Sequence, residues 1–556
     1  MIEGQKHFAP GDTVDFAVIG SGAAGGIIAK ELSTAGFDVV VLEQGPFRTA
    51  ADFTHDELSV MFLDELLGGA RVKREQTFRD DESKVAQLTT QGPPPAMYAR
   101  TVGGSSVHFS ANFWRFRESD FRERSLLGPI EGTNFADWPI DYAELEPYYT
   151  RVDWEIGVSG APGPFDPPRS RPYPMPPMPV KSAGVLLERA ARKLGLHAQP
   201  APVAILSEPY NGRAACIHCG YCMSFGCEVG AKSSTLAAAI PQAMASGHCE
   251  IRPECAVFRL ETDPGDRIRE VLYYDPEGRE ASLTARAVIL AANGAETPRL
   301  LLSSASERWP DGLANSSGFV GRNLMWNGHA VAEGVFEHPL NEYKSVQATR
   351  IIHDFYESDT ARGFYGGGGI DARAMFASTP ILYALIDTPP DLPRWGAAFK
   401  DALAANFTRQ MTMLCSTTSL PLDRNNITLD PTHEDRWGRP ALRVTYRDHP
   451  DDLATCRFLA DRAMELFDAA GAERSWTHPV EPQTLGAHLL GTCRMGDNPE
   501  TSVVDRYHRS HDVPNLFICD GSSFVTSGRG QPTMTIMALA FRAAEHIART
   551  AKANEI

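Results

Sequence analysis

Four cysteines within twelve residues form the densest group of reactive side chains in the sequence. Cys216, Cys219, Cys222 and Cys227 follow a C-x2-C-x2-C-x4-C pattern. Thiolates this close can converge on one metal centre, and bacterial ferredoxins bind iron–sulfur clusters with a similar C-x2-C-x2-C-x3-C-P pattern. Here the last gap is one residue longer, and Glu228 replaces the proline. The spacing predicts an iron–sulfur cluster, with a zinc ion, disulfides or four unliganded thiols as the alternatives.

A glycine-rich segment near the N-terminus is typical of dinucleotide binding. An apolar run leads into Gly20, Gly22 and Gly25 at G-x-G-x-x-G spacing, and a second apolar run ends at Glu43. In a strand–turn–helix–strand unit, these glycines permit the turn, the approach of a pyrophosphate and the packing of helix on strand. The amides at the start of the helix attract phosphate. We expect Glu43 to bind both ribose hydroxyls, and its charge disfavours NADP.

The composition is that of a large globular protein. The chain has 556 residues, of which 43% are hydrophobic and 22% charged, with a net charge of −17. The excess of acids argues against nucleic-acid partners, which require clustered Lys and Arg. Because no apolar run reaches the length of a membrane span, we expect no direct membrane insertion. The first ten residues lack a secretory signal, so a cytoplasmic location is the default, with export alongside a signal-bearing partner as the alternative.

Segments typical of nucleotide binding recur along the whole chain. They lie at 15–45, 100–108, 287–298 and 515–545, where apolar runs end at glycines or lead into helical patterns. This spread predicts an α/β fold in which a discontinuous cofactor domain is interrupted by a second domain.

Six ordered segments together resemble the glucose-methanol-choline (GMC) oxidoreductases. They are the glycine fingerprint, Gly103–Ser106, 137–149, 293–303, Gly321–Met325, and the C-terminal series His488, Asp520–Gly521 and Gln531–Pro532. The resemblance implies that the chain binds FAD and oxidises an alcohol carbon by hydride transfer to flavin N5. The flavoprotein subunits of bacterial sugar and gluconate dehydrogenases are particularly similar, since they share a Gly-Gly-x-x-x-His loop and a cysteine-rich insertion.

The family resemblance also implies a domain plan. A discontinuous Rossmann-like FAD-binding domain would carry an inserted α+β substrate domain with an antiparallel sheet. We expect the FAD-binding domain to comprise 12–50, 95–110, 240–334 and 480–550. We expect the substrate domain to comprise 51–94, 111–239 and 335–479, with the cysteine-rich insertion at 216–227.

Two residues occupy the catalytic positions of the family pattern. His488 matches the family's histidine base, which would accept the alcohol proton as hydride leaves. Gln531 stands where relatives carry His or Asn, so we expect it to donate a hydrogen bond rather than act as a base. Trp326 and Asn327 replace the usual Asp-His pair, and the sequence assigns them no role.

The resemblance assigns cofactor contacts to residues spread over the chain. The set comprises Gly20, Ser21, Gly22, Ala24, Gly25, Glu43, Gln44, Gly103, Gly104, Ser105, Ser106, His108, Val257, Asn293, Asp520, Gly521 and Pro532. His108 resembles the histidine that bonds the flavin 8α-carbon in some relatives. A noncovalent neighbour of the flavin ring is the alternative.

The acceptor that takes electrons from the reduced flavin depends on whether the cysteines bind a cluster. In the dehydrogenases that this chain resembles, the insertion holds a [3Fe-4S] or [4Fe-4S] cluster, which would pass electrons to a cytochrome or a small partner subunit. Without a cluster, a GMC oxidase that uses O2 is the alternative, and a flavin-bearing lyase on the same fold is a second one. The expected substrate is a small alcohol: a sugar, a polyol or a primary alcohol.

Overall fold

The structure is a computed structural model that describes residues 2, 4–9, 11–63, 75–89, 93–375 and 379–556. Part of the segment 51–94, which the sequence assigns to the substrate domain, lies outside these residues. No helix in the described part of the chain combines the length and apolarity needed to cross a bilayer.

The strands provide three sheets. In chain order they are β1 (Thr13–Ile19), β2 (Val39–Leu42), β3 (Gln76–Arg79), β4 (Gln87–Leu88), β5 (Ala198–Pro200), β6 (Cys249–Arg252), β7 (Ala256–Thr262), β8 (Ile268–Tyr274), β9 (Glu280–Leu290), β10 (His329–Val335), β11 (Arg350–Ile352), β12 (Gly368–Arg373), β13 (Gln410–Thr417), β14 (Asn426–Glu434), β15 (Pro440–Thr445), β16 (Arg474–Thr477) and β17 (Leu516–Ile518).

The α-helices cover the sheets and join their strands. They are α1 (Gly25–Thr34), α2 (Glu123–Leu127), α3 (Tyr142–Val152), α4 (Ser182–Leu194), α5 (Thr235–Ala238), α6 (Ile240–Ala245), α7 (Asn293–Ser303), α8 (Pro380–Leu382), α9 (Gly396–Asn406), α10 (Pro450–Ala470) and α11 (Thr533–Lys552).

The first sheet has the order β6-β2-β1-β9-β8-β7, with β17 also paired to β9. Strands β6, β2, β1, β9 and β17 run parallel, whereas β7 and β8 extend the sheet in antiparallel fashion. The central strands are apolar and almost wholly buried, as expected for parallel strands covered on both faces. This sheet, with α1 after the glycine turn, confirms the predicted Rossmann-like α/β fold.

The second sheet is antiparallel and has the order β16-β10-β13-β12-β11-β5. Helices α4 and α10 pack on one of its faces, where Ala330, Ala332 and Met413 form a common core with Leu459. The opposite face carries His329 and Val331, because successive side chains of a strand alternate between faces. Strand β10 begins at His329, so the domain boundary expected at residue 334 falls inside a strand of this second sheet.

A third, four-stranded sheet has the order β14-β15-β3-β4. Its strands come from both sides of the chain's midpoint, since β3 pairs in parallel with β15. It packs beside α7.

Candidate active site

A cavity of about 750 Å³ lies between the carboxyl ends of the first sheet and the face of the second sheet that is turned away from α4 and α10. Every predicted catalytic and cofactor residue lines it except Ser21, Gly25 and Gly103. Segments that are hundreds of residues apart in sequence therefore meet at one site. Its volume is within the range of pockets that bind organic ligands.

Two glycine turns face each other at one end of this cavity. A side chain at Gly104 would place its Cβ 2.7 Å from the Cα of Gly22, so this close approach of the two backbones requires glycine at position 104. Ser21 joins the turns, because its hydroxyl donates to Glu43 at 2.8 Å and accepts from the Gly103 amide at 3.1 Å. Glu43 is thus partly engaged within the protein, with lone pairs left for the cavity that it lines.

The start of α7 forms the opposite wall of the cofactor end. The Asp520 carboxylate accepts from the Asn293 amide at 3.0 Å, the Thr297 hydroxyl at 2.6 Å and the Ser522 amide at 2.8 Å. These bonds fasten the end of β17 to the helix, while burial raises the pKa of Asp520. The wall is thus held together by its own hydrogen bonds, since the Asn293 amide donates to Asp520 and the Ala295 and Glu296 amides donate to Asn293 Oδ1.

The donor set fits FAD. The turn that carries Gly22 leads into the start of α1 and faces the turn that carries Gly104, an arrangement that suits a pyrophosphate. Further along, both ring nitrogens of His108 are buried without a hydrogen-bond partner among the described residues. Burial, with the charges of Lys232 and Arg48, lowers the pKa of His108 well below its usual value, so this ring is neutral.

His488 is held in one tautomer by Asn327. The Asn327 amide nitrogen donates to the carbonyl oxygens of Thr417 and Gly528 at 3.0 and 3.1 Å, so its oxygen must face the histidine. That oxygen lies 3.0 Å from His488 Nδ1, which therefore carries the proton. Nε2 is left with a free lone pair and can accept a proton.

A second histidine, His329, faces His488 across the cavity. Their ring centroids are 5.6 Å apart, and both rings line the cavity. Burial and the charge of Arg373 lower the pKa of His329 to about 4, while burial and the His329 ring lower the pKa of His488 to about 3. Both are neutral at physiological pH. Roles for His329 and Asn327 were not predicted from the sequence; the polar Asn-Gly-His run after the Gly321–Met325 segment was the available signal.

The second sheet contributes a mixed wall to the other end of the cavity. Val331, Leu414 and Met375 are apolar, whereas Arg373 forms a buried ion pair with Asp371. Gln531 also lines this space, and no described residue hydrogen-bonds its side-chain amide. The wall can therefore hold a molecule with both carbon surface and hydroxyl groups.

The cysteine-rich insertion adjoins the cavity. Met223 and Ser224, between the third and fourth cysteines, line it, and the Ser224 amide donates to the His108 carbonyl at 2.7 Å. A change in the insertion is therefore transmitted directly to the backbone of His108.

The four predicted metal-binding cysteines line a second, much smaller pocket. Its free volume is about 10 Å³, so the thiols would have to spread to hold a cluster. Backbone amides donate to the sulfurs of Cys216 and Cys227 at 3.4 Å, a type of bond that tunes iron–sulfur centres. The Lys232 ammonium is buried beside them and donates to the Phe225 carbonyl at 2.7 Å. All ten cysteines are free, so the disulfide alternative is wrong.

Models of the GMC oxidoreductase family match residues 83–328 and 421–540. A 2-methyl-1,2-propanediol dehydrogenase from Mycolicibacterium austroafricanum is 36% identical, over 97% of this chain and 96% of that protein. The large subunit of a fructose dehydrogenase from Gluconobacter japonicus is 29% identical, over 96% of this chain and 98% of the relative. Among solved structures, an Aspergillus oryzae formate oxidase variant superposes with a TM-score of 0.67, at 15% identity, covering 99% of this chain and 100% of that one. This last likeness concerns the fold.

Proposed function

Because the chain belongs to the GMC oxidoreductase family of FAD-dependent enzymes that act on alcohols, we propose that it oxidises a sugar, polyol or primary alcohol with His488 as the base. The observation that carries the assignment is the Asn327–His488 hydrogen bond, which leaves Nε2 unprotonated in the cavity. The discontinuous segments named above supply the FAD-binding domain in this proposal, and the second sheet supplies the substrate side.

Four residues have separate roles in the proposed reaction. When bound, FAD accepts hydride from the alcohol carbon. His488 Nε2 accepts the hydroxyl proton as that hydride leaves, and Asn327 keeps the ring in the required orientation. Gln531 donates a hydrogen bond to the alcohol oxygen as negative charge develops on it. Arg373, its charge balanced by Asp371, binds a further substrate hydroxyl.

Anaerobic mixing of the holoenzyme with candidate alcohols tests this function. We expect 2-methyl-1,2-propanediol, D-fructose or a simple primary alcohol to bleach the flavin absorbance, since two relatives carry the first two compounds in their names. A lyase would convert its substrate without bleaching the flavin. An oxidase would bleach the flavin and, once air is admitted, would consume one O2 for each alcohol oxidised. Absence of bleaching over a broad panel of sugars, polyols and primary alcohols would exclude alcohol oxidation.

The rate of flavin bleaching is expected to show no acid limb between pH 5 and pH 8. A base is active when unprotonated, and the pKa of His488 is lowered to about 3 by burial and by His329. The rate should therefore fall only at still lower pH, whereas a histidine with its ordinary pKa of about 6.5 would lose activity through the middle of this range. Stopped-flow bleaching at saturating substrate measures the profile. A midpoint near 6.5 that disappears in His488→Gln would contradict the assigned pKa.

We further propose that Cys216, Cys219, Cys222 and Cys227 hold an iron–sulfur cluster. A cluster bound there would accept single electrons, and the contact between Ser224 and His108 supports a position beside the flavin. Since the similar fructose dehydrogenase protein is the large subunit of its enzyme, a partner subunit for this chain is part of the proposal as well. Zinc is the competing metal, and metal analysis with acid-labile sulfide separates the two.

Replacing Cys219 by serine is expected to remove the iron and block electron delivery to one-electron acceptors. The purified wild type should carry about three or four iron atoms and a similar amount of labile sulfide. In Cys219→Ser, ferricyanide reduction should be lost while anaerobic bleaching of the flavin by substrate persists. Cys456→Ser, a buried cysteine far from the insertion in sequence, is the matched control. Equal ferricyanide turnover in both variants would remove the insertion from the electron path.

Covalent attachment of the flavin to His108, as opposed to noncovalent binding beside it, is tested separately. Acid precipitation gives a yellow pellet if the flavin is covalently attached and a yellow supernatant if it is not. His108→Ala should abolish the first outcome without preventing FAD binding.

A further inference from the structure

Two buried carboxyl groups and an imidazole meet on the second sheet, outside the active-site cavity. Glu333 lies on β10 and is fully buried, Asp387 ends the turn Tyr383–Asp387 and is 2% exposed, and His478 follows β16. One ligand atom from each lies within 4.8 Å of the others, and Glu333 Oε1 is 4.0 Å from His478 Nε2. None of the three residues lines the cofactor cavity.

Neutral donors hold the first of these groups in place. The Gln410 side-chain amide donates to Glu333 Oε2 at 3.0 Å and to the Asp387 carbonyl at 2.7 Å. The Thr412 hydroxyl donates to Glu333 at 3.0 Å. The Tyr383 hydroxyl in turn donates to Gln410 Oε1 at 3.0 Å, which fixes the amide orientation. Such supporting bonds are typical of residues that orient metal ligands.

The charges within the group are unbalanced. Among the described residues, no Lys or Arg forms an ion pair with either carboxylate. Two adjacent buried carboxylates are unfavourable unless a cation joins them.

Two polar atoms at this point also lack partners. Asp387 Oδ1 and His478 Nε2 are buried, and neither has a hydrogen-bond partner within the described part of the chain. Unpaired buried acceptors are costly, so their convergence on Glu333 calls for a ligand. The His478 side chain is 26% exposed, which gives an ion a route from solvent.

We propose that Glu333, Asp387 and His478 bind one divalent transition-metal ion, with water as the fourth ligand. Two carboxylates and one imidazole are ligands that Zn²⁺ accepts in tetrahedral geometry, where bonds of ~2.1 Å place ligand atoms roughly 3.4 Å apart. Modest side-chain rotation closes the gap from the present separations. The ion fastens the turn Tyr383–Asp387 to the sheet that forms the substrate wall, and it is distinct from any metal held by the cysteines.

Zinc titration of chelator-treated holoenzyme tests the site. We expect the wild type to bind one more equivalent of Zn²⁺ than His478→Ala or Glu333→Gln, with affinity lowered at least about 100-fold by loss of a ligand. His433→Ala, which removes a histidine paired with Asp430 on another sheet, should keep full binding. Since the cysteines are unchanged in all variants, zinc bound by them cancels in the difference. Equal zinc binding by wild type and His478→Ala would overturn the proposal.

Thermal unfolding gives an independent readout. A ligand that binds only the folded state raises Tm, so Zn²⁺ should raise the Tm of the wild type and leave that of Glu333→Gln unchanged. The isosteric variant also removes the carboxylate repulsion, and we expect it to fold with its FAD retained. A wild-type Tm that does not respond to Zn²⁺ would overturn the site.

Discussion

His488→Ala is expected to fold, retain FAD and lose turnover by about 10²- to 10⁴-fold, the range that a positioned base contributes. The imidazole lines the cavity and contributes to no sheet, and its one side-chain hydrogen bond to a described residue is with Asn327, so its removal leaves the walls intact. The loss should appear in the rate of flavin bleaching and not only in KM, because the proton leaves as the C–H bond breaks. The flavin-to-protein absorbance ratio verifies cofactor content.

Two controls sharpen this experiment. His197→Ala removes an exposed histidine that pairs with Asp354 and should leave turnover unchanged. Imidazole added to His488→Ala should recover part of the rate, since the truncation leaves a space of matching shape beside Asn327. Full turnover in His488→Ala without added imidazole would exclude the histidine as the base.

Asn327→Leu is expected to lower the bleaching rate by about 10²-fold, the scale that misplacement of a reacting group by about an ångström can cost. Leucine keeps the branched shape of asparagine but cannot accept a hydrogen bond from His488 Nδ1, so the ring is free to rotate and to change tautomer. FAD content should be retained, because the cofactor walls are built by other segments. Stopped-flow bleaching with the flavin ratio again measures both quantities.

The pH profile of Asn327→Asp separates positioning from a general packing defect. A carboxylate beside the ring favours the charged imidazolium and raises the pKa of His488. Bleaching should then slow as pH falls through this higher pKa, an acid limb that the wild type lacks between pH 5 and pH 8. A variant that is merely less well packed would lower the rate equally at every pH. A flat profile in Asn327→Asp and an undiminished rate in Asn327→Leu would together exclude the positioning role.

Much of the cofactor side could be predicted because backbone geometry dictates residue type there. Gly104 lies so close to Gly22 that a Cβ at position 104 would clash with it, and such a requirement is visible in a sequence as glycine at fixed spacing. The α/β fold followed from the same segments, and the antiparallel sheet followed from the family resemblance. Residues 15–45 and 515–545 supply β1, α1, β2, β17 and α11 as the patterns indicate.

The substrate side could not be predicted, because its residues are selected by contacts across distant strands. His329 and Arg373 lie on β10 and β12, separated by β13, and nothing in their local sequence indicates that they line the same cavity as His488. Asn327 departs from the family pattern at its position, so a comparison of motifs assigns it no role. Its function depends on an oxygen whose orientation is fixed by carbonyls of two other segments.

The division of the cavity between two sheets also has a consequence for engineering. The proposed catalytic and cofactor groups come mainly from the first sheet and the C-terminal segments, whereas Val331 and Leu414 lie on the antiparallel sheet and Met375 just after its strand β12. On β10 the alternate positions Ala330 and Ala332 face the helix-packed core instead. A focused library at 331, 375 and 414 should therefore diversify the alcohols accepted while preserving the redox machinery, which makes this scaffold evolvable towards new substrates.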